Sequence, residues 1–369
     1  MLDDSYMKQA LRIARRGQGK TSPNPMVGAV IVKDNRIIGQ GYHRYFGGKH
    51  AEVNAIESAR EDIGGATLYV TLEPCCHYGK TPPCVDAVIR SGVGRVVIGT
   101  LDPNPKMRGK GVEILREHNI ETRVGVLEGE CRSLNEAYFK HMSTGMPLVT
   151  VKFAQTLDGR IATATGGSQW LSAPASRRLA HRWRALHDGV MVGVGTVLAD
   201  NPELTVRLVK GRNPARIILD SRLRIPLDAR VLLNQESAPT IIATTSGAEE
   251  KKLSALRRMG IEVLVIPEDE RGEVDLGHLL AMLGQREISS ILVEGGAATI
   301  TSLLRRNLVD RLVVIVAPKV MGKGIEAVGE LNITEVDKAL KLSFEKVRRV
   351  GGDIVIEARL ENGWKWGGL

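Results

Sequence analysis

The chain has 369 residues, of which 43% are hydrophobic and 25% charged. This composition excludes a disordered chain, and the length suggests two domains because a domain usually holds roughly 100–200 residues. The net charge of +9 is spread over both halves of the chain and not concentrated in one stripe, and aromatic residues, which could stack on bases, make up only 4%. A nucleic-acid partner is therefore disfavoured. No uncharged apolar run approaches the roughly 18 residues of a membrane-spanning helix, and the acidic start Met1–Asp4 lacks a signal-peptide pattern. We therefore expect a cytoplasmic protein without a membrane partner.

The first half of the chain alternates between strand-like and helix-like periods, which predicts an α/β layer structure. Two strands, Val27–Lys33 and Arg36–Gly41, are separated by the turn residues Asp34 and Asn35, so we expect them to pair as a hairpin. The other predicted elements are helices over Ser5–Arg16, from His50 onward, after Pro83, and over Gly111–His118 and Gly129–Met142, and strands over Ala66–Leu72 and Arg95–Gly99.

A domain boundary is predicted where Gly145 and Pro147 end a helix and a new strand, Leu148–Phe153, begins. We assign one domain to residues 1–145 and a second α/β domain to residues 146–369. In the second domain we predict strands over Gly189–Gly193, Ala215–Leu219, Thr240–Ala243, Glu262–Val265, Ser290–Val293 and Leu312–Ala317, helices over Ala173–Ala185, Ala248–Met259, Asp275–Leu283 and Ala297–Arg305, and a closing antiparallel strand over Asp353–Leu360.

One imidazole, one nearby carboxylate and two thiols form a candidate metal centre in the first domain. His50 precedes Glu52 by two positions, Cys75 follows a proline, and Cys84 comes later in the same segment. Two thiolates and one imidazole suit a borderline-soft ion such as zinc, and three protein ligands leave a position open for water, as catalytic sites require. Because residues two apart do not face each other within a helix, we expect His50 to bind the metal and Glu52 to move protons.

Two neighbouring residues compete for the third ligand position. Cys76 is adjacent to Cys75, and His77 follows it. Adjacent side chains seldom converge on one tetrahedral ion, so Cys84 is the favoured third ligand and the two rivals remain alternatives. Cys131 stands apart and is predicted to be a packed thiol of a helix.

Several stretches of the first domain closely resemble the bifunctional riboflavin-biosynthesis deaminase–reductases, the RibD family. The stretch around Cys84 in particular separates this family from tRNA and cytidine deaminases, whereas Cys76 stands where the family is expected to have serine. The matching stretches are Ser22–Pro25, Val27–Val30, His50–Val53, Thr71–Cys75 and Gly79–Cys84.

The resemblance implies a cytidine-deaminase-like three-layer α/β/α domain followed by a dihydrofolate-reductase-like α/β domain. It implies that the first, using one zinc ion per chain, hydrolytically deaminates 2,5-diamino-6-(5-phosphoribosylamino)pyrimidin-4-one to 5-amino-6-(5-phosphoribosylamino)uracil, with Glu52 carrying protons as ammonia leaves. The residues that match the family's pyrimidine and phosphate pocket are Asn24, His43, Lys80, Thr81 and Asn104.

The second half begins with Lys152–Ala162, which resembles the opening strand and loop of the family's reductase domain. The segment Glu294–Thr299 follows a strand and opens a helix, and exposed amides at a helix N-terminus bind pyrophosphate well. It differs from the G-x-G-x-x-G fingerprint, so a Rossmann domain is not expected. By resemblance, the NADPH contacts are Ala154, Trp170, Thr196, Asp200, Ser221, Gly295, Gly296, Ala297, Ala298 and Thr299.

The same resemblance implies that NADPH reduces the ribosyl group of the deaminated product to ribityl. Either Lys152 or Asp200 is expected to assist this step. The substrate contacts of the reductase are expected to be Lys152, Ser168, Arg184, Leu204, Arg207 and Glu294.

The partner expected for the chain is a small phosphoribosyl pyrimidine, and we expect a homo-oligomer, with a dimer favoured and a tetramer as the alternative. A zinc-dependent nucleic-acid base deaminase of the tRNA adenosine type, carrying an accessory domain, is the alternative function. It gives no role to the residues after Pro147.

Overall fold

The computed structural model describes residues 2–364. The chain divides into two compact units, Met1–Gly145 and Met146–Leu369. Each unit has its own sheet and its own hydrophobic core. Within the described range, no helix combines the length and the apolarity needed to cross a bilayer.

The first unit is a three-layer α/β/α fold. Its helices are α1 (Leu2–Ala14), α2 (Ala51–Glu57), α3 (Cys84–Arg90), α4 (Lys110–Glu117), α5 (Glu128–Leu134) and α6 (Glu136–Thr144), and its strands are β1 (Gly28–Lys33), β2 (Arg36–Tyr42), β3 (Thr67–Val70), β4 (Arg95–Ile98) and β5 (Glu121–Val124). The sheet order is β2-β1-β3-β4-β5, with β1 antiparallel to both of its neighbours and β3, β4 and β5 parallel.

Alternate residues of the central strand β1 face two different core clusters, as the two-residue period of a strand requires. Ala29 and Ile31 pack in the cluster that also contains residues of α2, α3 and α4. Val30 and Val32 pack on the other face, in the cluster with residues of α1 and α5. Both faces of the sheet are therefore covered by helices. Cys131 of α5 is fully buried in the second cluster, so the predicted packed thiol is confirmed.

The predicted hairpin between β1 and β2 is confirmed. Lys33 pairs with Arg36, and the two turn residues Asp34 and Asn35 have positive φ angles of 48° and 58°. Aspartate and asparagine tolerate this left-handed region better than most residues, which explains why the turn lies there.

The second unit is built on a nine-stranded mixed sheet. Its strands are β6 (Leu148–Thr156), β7 (Arg160–Thr163), β8 (Gly189–Gly193), β9 (Ala215–Leu219), β10 (Thr240–Thr244), β11 (Glu262–Val265), β12 (Ser290–Glu294), β13 (Arg311–Ala317), β14 (Gly324–Glu326), β15 (Leu342–Val350) and β16 (Asp353–Leu360), and its helices are α7 (Pro174–Leu186), α8 (Val194–Asp200), α9 (Glu250–Arg258), α10 (Leu276–Gln285) and α11 (Ala297–Arg305). The large sheet has the order β11-β10-β9-β8-β12-β6-β13-β16-β15, and β7 pairs with β14 in a separate ribbon.

The strand directions in the large sheet indicate where a ligand can bind. The strands from β11 to β13 run parallel, whereas β16 is antiparallel to both β13 and β15, as predicted for the closing strand. Strand β12 lies between β6 and β8, so the chain order reverses there. In open α/β sheets, ligands bind beyond the carboxyl ends of the strands at such a reversal.

Several regions differ from the predictions made from the sequence, which did not include the strands β5, β7 and β14 or the helix α8. The single helix predicted over Gly129–Met142 is broken at Asn135, which has φ −119° and ψ 29° and separates α5 from α6. Strand β15 was not predicted, because almost all of its side chains are exposed on both faces and its sequence therefore carries no alternating apolar pattern.

Candidate active sites

The ends of two helices and one strand bring His50, Cys75 and Cys84 together in the first unit. His50 is the residue that precedes α2, Cys84 is the first residue of α3, and Cys75 follows β3. Nδ1 of His50 lies 3.2 Å from Sγ of Cys84 and 3.4 Å from Sγ of Cys75. The three candidate ligand atoms all lie within 4.8 Å of one another.

This donor set fits a zinc ion. Ligand atoms that share one zinc at about 2.0–2.3 Å lie roughly 3.5–4 Å apart, close to the separations seen here. The donor chemistry of two sulfurs and one imidazole nitrogen also suits zinc. The remaining ring nitrogen of His50, Nε2, lies 3.5 Å from Oγ1 of Thr81, so a hydroxyl is placed to orient the imidazole.

The two sulfur atoms differ in their electrostatic surroundings. A hydrogen bond from the Cys84 thiol lowers the pKa of Cys75, and His50 and the Cys84 backbone N–H, 3.3 Å from the Cys75 sulfur, lower it further. The same hydrogen bond, together with burial, raises the pKa of Cys84. Cys75 is therefore the more acidic of the two thiols, and a bound cation would favour ionisation of both.

Glu52 lies in the first turn of α2 with only 3% of its surface exposed. Burial raises its pKa to about 7, although His50 lowers it. Its Oε2 atom is buried and has no hydrogen-bond partner among the residues that the structure describes. A carboxyl group with one free oxygen and a pKa close to neutrality is suited to accept and return a proton.

The alternative ligands named from the sequence lie differently. Sγ of Cys76 faces Sδ of Met107 at 3.9 Å, and His77 is exposed. The metal-binding group found among the described residues contains His50, Cys75 and Cys84 without either of them.

Asn24 and His43 lie next to the candidate metal centre. The His43 ring stands edge-on to the His50 ring with the centroids 5.1 Å apart. Nδ1 of His43 lies 3.2 Å from the Lys49 carbonyl, and Nε2 lies 3.4 Å from Nδ2 of Asn24. Burial lowers the pKa of His43, so its neutral ring donates to the carbonyl and accepts from the asparagine amide.

Lys80 and Asn104 occupy two separate loops. Nζ of Lys80 lies 3.8 Å from the centre of the Phe46 ring, a cation–π contact that the sequence did not indicate. Asn104 interacts with its own loop, donating its N–H to Asp102 and accepting the N–H of Lys106.

A buried carboxylate, Glu73, holds the loop that carries Asn104. It accepts the backbone N–H groups of Asp102, Gly109, Gly111 and Val112 at 3.1, 3.0, 2.9 and 3.4 Å. Glu73 lies two residues before Cys75, so one short segment contributes both a candidate metal ligand and the anchor of a neighbouring loop. The sequence analysis did not find this role, because the hydrogen bonds join residues far apart in the chain.

In the second unit, two glycine-containing loops meet beyond the carboxyl ends of β8 and β12. A Cβ atom added to Gly296 would lie 3.2 Å from Oγ1 of Thr196, and one added to Gly193 would lie 2.7 Å from Oγ1 of Thr299. Gly295 and Gly296 also have φ angles of 77° and 79°, which favour glycine. Two groups of expected NADPH contacts therefore lie side by side where the strand order reverses. They are Thr196 and the segment Gly295–Thr299, in which Ala297 and Ala298 begin α11.

The other expected NADPH contacts surround this edge. The Trp170 indole is exposed, and Cζ of Arg177 lies 4.1 Å from the centre of its ring. The backbone carbonyl of Trp170 accepts a hydrogen bond from the Lys319 ammonium at 2.8 Å. Ser168 donates to Asp200 at 3.4 Å, at the end of α8. Arg177 and Lys319 were missed by the sequence analysis.

Ala154 and Ser221 lie at different positions along the large sheet. Ala154 belongs to β6, whereas Ser221 follows β9 and donates to Glu273 at 2.5 Å. The Ser221 hydroxyl also accepts the Val274 N–H at 3.2 Å, so this serine joins the end of β9 to a neighbouring loop.

A buried charged cluster contains most of the expected reductase substrate contacts. Arg184 forms two hydrogen bonds with Glu294 and donates to the Thr205 carbonyl at 3.0 Å. Burial lowers the pKa of Lys152, and neighbouring Arg184 lowers it further while Glu294 raises it.

The loop after α8 completes this cluster. Leu204 is buried with a φ of 54°, and the Arg207 side chain donates to Glu203 and Thr205 at 2.7 and 2.8 Å. The Arg207 backbone N–H donates to Nδ1 of His181 at 2.9 Å. His181 was not identified from the sequence, since nothing in its local pattern distinguishes it from a packed helical residue.

Comparison with known proteins gives two family matches. Residues 1–100 match the cytidine and deoxycytidylate deaminase zinc-binding region, and residues 147–356 match the RibD C-terminal domain. The chain is 49% identical over 356 residues to the riboflavin biosynthesis protein RibD of Aquifex aeolicus, which covers 96% of this chain and 98% of that protein. The corresponding protein of Escherichia coli is 40% identical over 370 residues, covering 96% and 99%.

Solved structures give the same result. Acinetobacter baumannii RibD superposes with a TM-score of 0.89 and 38% identity, covering 97% of this chain and 99% of that chain. A diaminohydroxyphosphoribosylaminopyrimidine deaminase/5-amino-6-(5-phosphoribosylamino)uracil reductase of Thermotoga maritima has a TM-score of 0.85 and 40% identity, with the same coverage. The fold class and the family expected from the sequence are thereby confirmed, and the nucleic-acid deaminase is not favoured. The chain belongs to the RibD family of bifunctional, zinc- and NADPH-dependent riboflavin-biosynthesis deaminase–reductases.

Proposed function

We propose that His50, Cys75 and Cys84 hold the zinc ion of the deaminase and that Glu52 is its proton carrier. The observation that carries this assignment is the grouping of three ligand atoms within 4.8 Å beside a buried carboxyl oxygen that has no hydrogen-bond partner in residues 2–364. Zinc, when bound, supplies a Lewis acid that lowers the pKa of water from 15.7 to about 7.

The reaction replaces the 2-amino group of the pyrimidine with oxygen from water and releases ammonia. Glu52 accepts a proton as water adds to the ring carbon, and it returns that proton to the departing amino group, so the carboxylate is regenerated. His43 and Asn24 bind the polar edge of the ring, and the Lys49 carbonyl fixes the tautomer of His43. Lys80 and Asn104 bind the phosphoribosyl group.

We assign the reductase to residues 146–369 and the deaminase to residues 1–145. NADPH, when bound, supplies the hydride that reduces the ribosyl carbon C1′. The glycine loops beyond β8 and β12 cradle its pyrophosphate with backbone N–H groups, and Trp170, Asp200 and Ser221 line the rest of its path.

Reduction also consumes one proton. We propose that Lys152 donates it, because burial lowers the pKa of its ammonium group and so eases release of the proton. Glu294 keeps Lys152 in place, and Arg207 and Ser168 bind the substrate. Asp200 orients Ser168 through their hydrogen bond.

We further propose that the enzyme is a homodimer formed through the edge strand β15. Phe344 and Val347 on this strand are 69% and 58% exposed, and β15 is the last strand at one side of the large sheet. Exposed apolar side chains on an open sheet edge favour pairing with a second copy. The four free cysteines and the proposed thiolate ligands suit a reducing compartment, so the cytoplasm is the proposed location.

The deaminase assignment is tested with Glu52→Gln. The variant is expected to keep zinc and NADPH oxidation with the deaminated substrate, while ammonia release falls about 10²–10⁴-fold, the usual contribution of a general acid–base group. Glu57→Gln is the matched control, since Glu57 lies on the same helix but forms only a surface ion pair with Lys49. Loss of zinc from Glu52→Gln, or unchanged ammonia release, would overturn the assignment.

A further inference from the structure

We propose that Asn135 is a positioning residue of the deaminase, which holds the loop bearing Asn24 against the pyrimidine pocket. Oδ1 of Asn135 accepts the backbone N–H of Met26 at 2.7 Å, and its Nδ2 donates to the carbonyl of the same residue at 2.8 Å. The inference rests on the proposed role of Asn24 in binding the pyrimidine.

The pair of hydrogen bonds requires an amide side chain. One terminal atom must accept and the other must donate, and among side chains of this length only asparagine offers both. Asn135 is 5% exposed, so water does not replace either bond. Replacing Asn135 with alanine therefore removes these hydrogen-bond partners from the N–H and the carbonyl of Met26, a partly buried residue.

The residues on either side of Asn24 cannot fix it through N–H groups of their own. Pro23 and Pro25 flank Asn24 and have no N–H to donate. The contact of Asn24 with His43 is long, at 3.4 Å, and so contributes little on its own. The two hydrogen bonds from Asn135 to Met26 therefore add a fixed point two residues after Asn24.

The anchor holds Asn24 next to a strand end that is bonded to the backbone of His43. Met26 is followed by Val27, whose carbonyl accepts the backbone N–H of His43 at 2.9 Å. Holding Met26 therefore fixes the segment that leads back to Asn24 and the strand end to which His43 is bonded. The His43 ring also has its own hydrogen bond to the Lys49 carbonyl, so Asn24 is the pocket residue that depends on the anchor.

The break between α5 and α6 supports this role. Asn135 precedes the first residue of α6, where an asparagine side chain normally accepts a backbone N–H of the first helical turn. Here its side chain makes no such bond and is directed to Met26 instead. Asn135 therefore interrupts the helix and does not cap α6. Its side chain hydrogen-bonds to the Asn24 loop instead.

A double-mutant cycle between Asn24 and Asn135 tests the proposal. In the full-length zinc enzyme, Asn135→Ala is expected to lower kcat/KM for ammonia release about tenfold or more, as is Asn24→Ala. The double variant is expected to be no slower than Asn24→Ala alone, because Asn135 acts through Asn24. Zinc content and NADPH oxidation with the deaminated substrate stay unchanged in all three.

Asn119→Ala is the matched control for a general loss of stability. Asn119 is an exposed asparagine after helix α4 of the same unit, with a φ of 60° that alanine adopts at a cost. It is expected to lower the melting temperature without changing deamination. If Asn135→Ala does not fold, Asn135→Ser replaces it in the cycle, because the serine side chain is smaller than asparagine but still polar.

Two results would overturn the inference: unchanged deamination in the Asn135 variant, or losses that multiply in the double variant. Failure of the proposed function looks different. In that case Asn24→Ala itself leaves kcat/KM for ammonia release unchanged, and the pocket assignment falls together with the role of Asn135.

Discussion

The Arg184 guanidinium binds the Glu294 carboxylate through two parallel hydrogen bonds, Nε to Oε1 at 2.7 Å and Nη2 to Oε2 at 2.8 Å. Both side chains are almost buried, with exposed fractions of 12% and 9%. Burial by itself would raise the pKa of Glu294, but the Arg184 and Lys152 cations lower it to about 2. The carboxylate is therefore charged at any working pH, and it ties helix α7 to the end of β12.

Removing Glu294 leaves the Arg184 and Lys152 cations without their carboxylate, and removing Arg184 leaves the buried carboxylate with Lys152 as its remaining cation. We expect Glu294→Leu and Arg184→Leu each to lower the free energy of unfolding by about 3–5 kcal/mol, and the double variant to recover a large part of that loss. The four tryptophans all lie after Met146, so their fluorescence during urea denaturation reports the second unit. A double variant whose loss equals the sum of the two single losses would contradict the prediction.

Zinc content distinguishes Cys84 from Cys76. Cys84→Ser is expected to deplete bound zinc strongly, because a serine hydroxyl does not ionise to replace a thiolate at neutral pH. Cys76→Ser is expected to keep one zinc per chain, since its sulfur faces Met107 instead of His50. Metal analysis of both purified variants decides the point. Zinc loss in the Cys76 variant with retention in the Cys84 variant would reverse the proposed ligand set.

The metal centre could be predicted from the sequence because its chemistry is local. His50 and Glu52 are two residues apart. Cys75 follows a strand and Cys84 begins a helix, so residue type and spacing are enough to indicate the metal centre. The hydrogen bonds that support the sites could not be predicted in this way. Asn135 bonds to Met26 across more than a hundred residues, and only the folded chain brings them together.

The fold shows the same division. Strands with one or two buried faces, such as β1 and β12, have apolar patterns that identify them. Strand β15 has almost no buried face, so its place in the sheet depends on pairing with β16 and leaves no pattern in its sequence.

The stability of the second unit is expected to depend on pH through His181. Burial and the Arg184 and Arg207 cations lower the pKa of His181 to about 4, and its neutral Nδ1 accepts the Arg207 N–H. The ordinary pKa of histidine is 6.5. Between this pH and about pH 4, the unfolded chain binds a proton at His181 that the folded chain does not bind. Stability is therefore complete above pH 6.5 and falls as the pH is lowered through this range.

His181→Asn removes this titration while keeping an acceptor for the Arg207 N–H. Tryptophan fluorescence during urea denaturation at a series of pH values is expected to show a smaller loss of stability on acidification than in the wild type. Equal pH slopes in the two proteins would mean that His181 is not the group responsible.

The two activities are expected to be separable, because three hydrophobic core clusters are built entirely from residues after Met146. A fragment of residues 146–369 is expected to fold and to oxidise NADPH with 5-amino-6-(5-phosphoribosylamino)uracil, but to bind no zinc and release no ammonia. Circular dichroism establishes folding before the assay, and the full-length Glu52→Gln enzyme provides the reference rate for a reductase whose neighbouring deaminase is inactive. A folded fragment without NADPH turnover would show that residues of the first unit are needed for reduction.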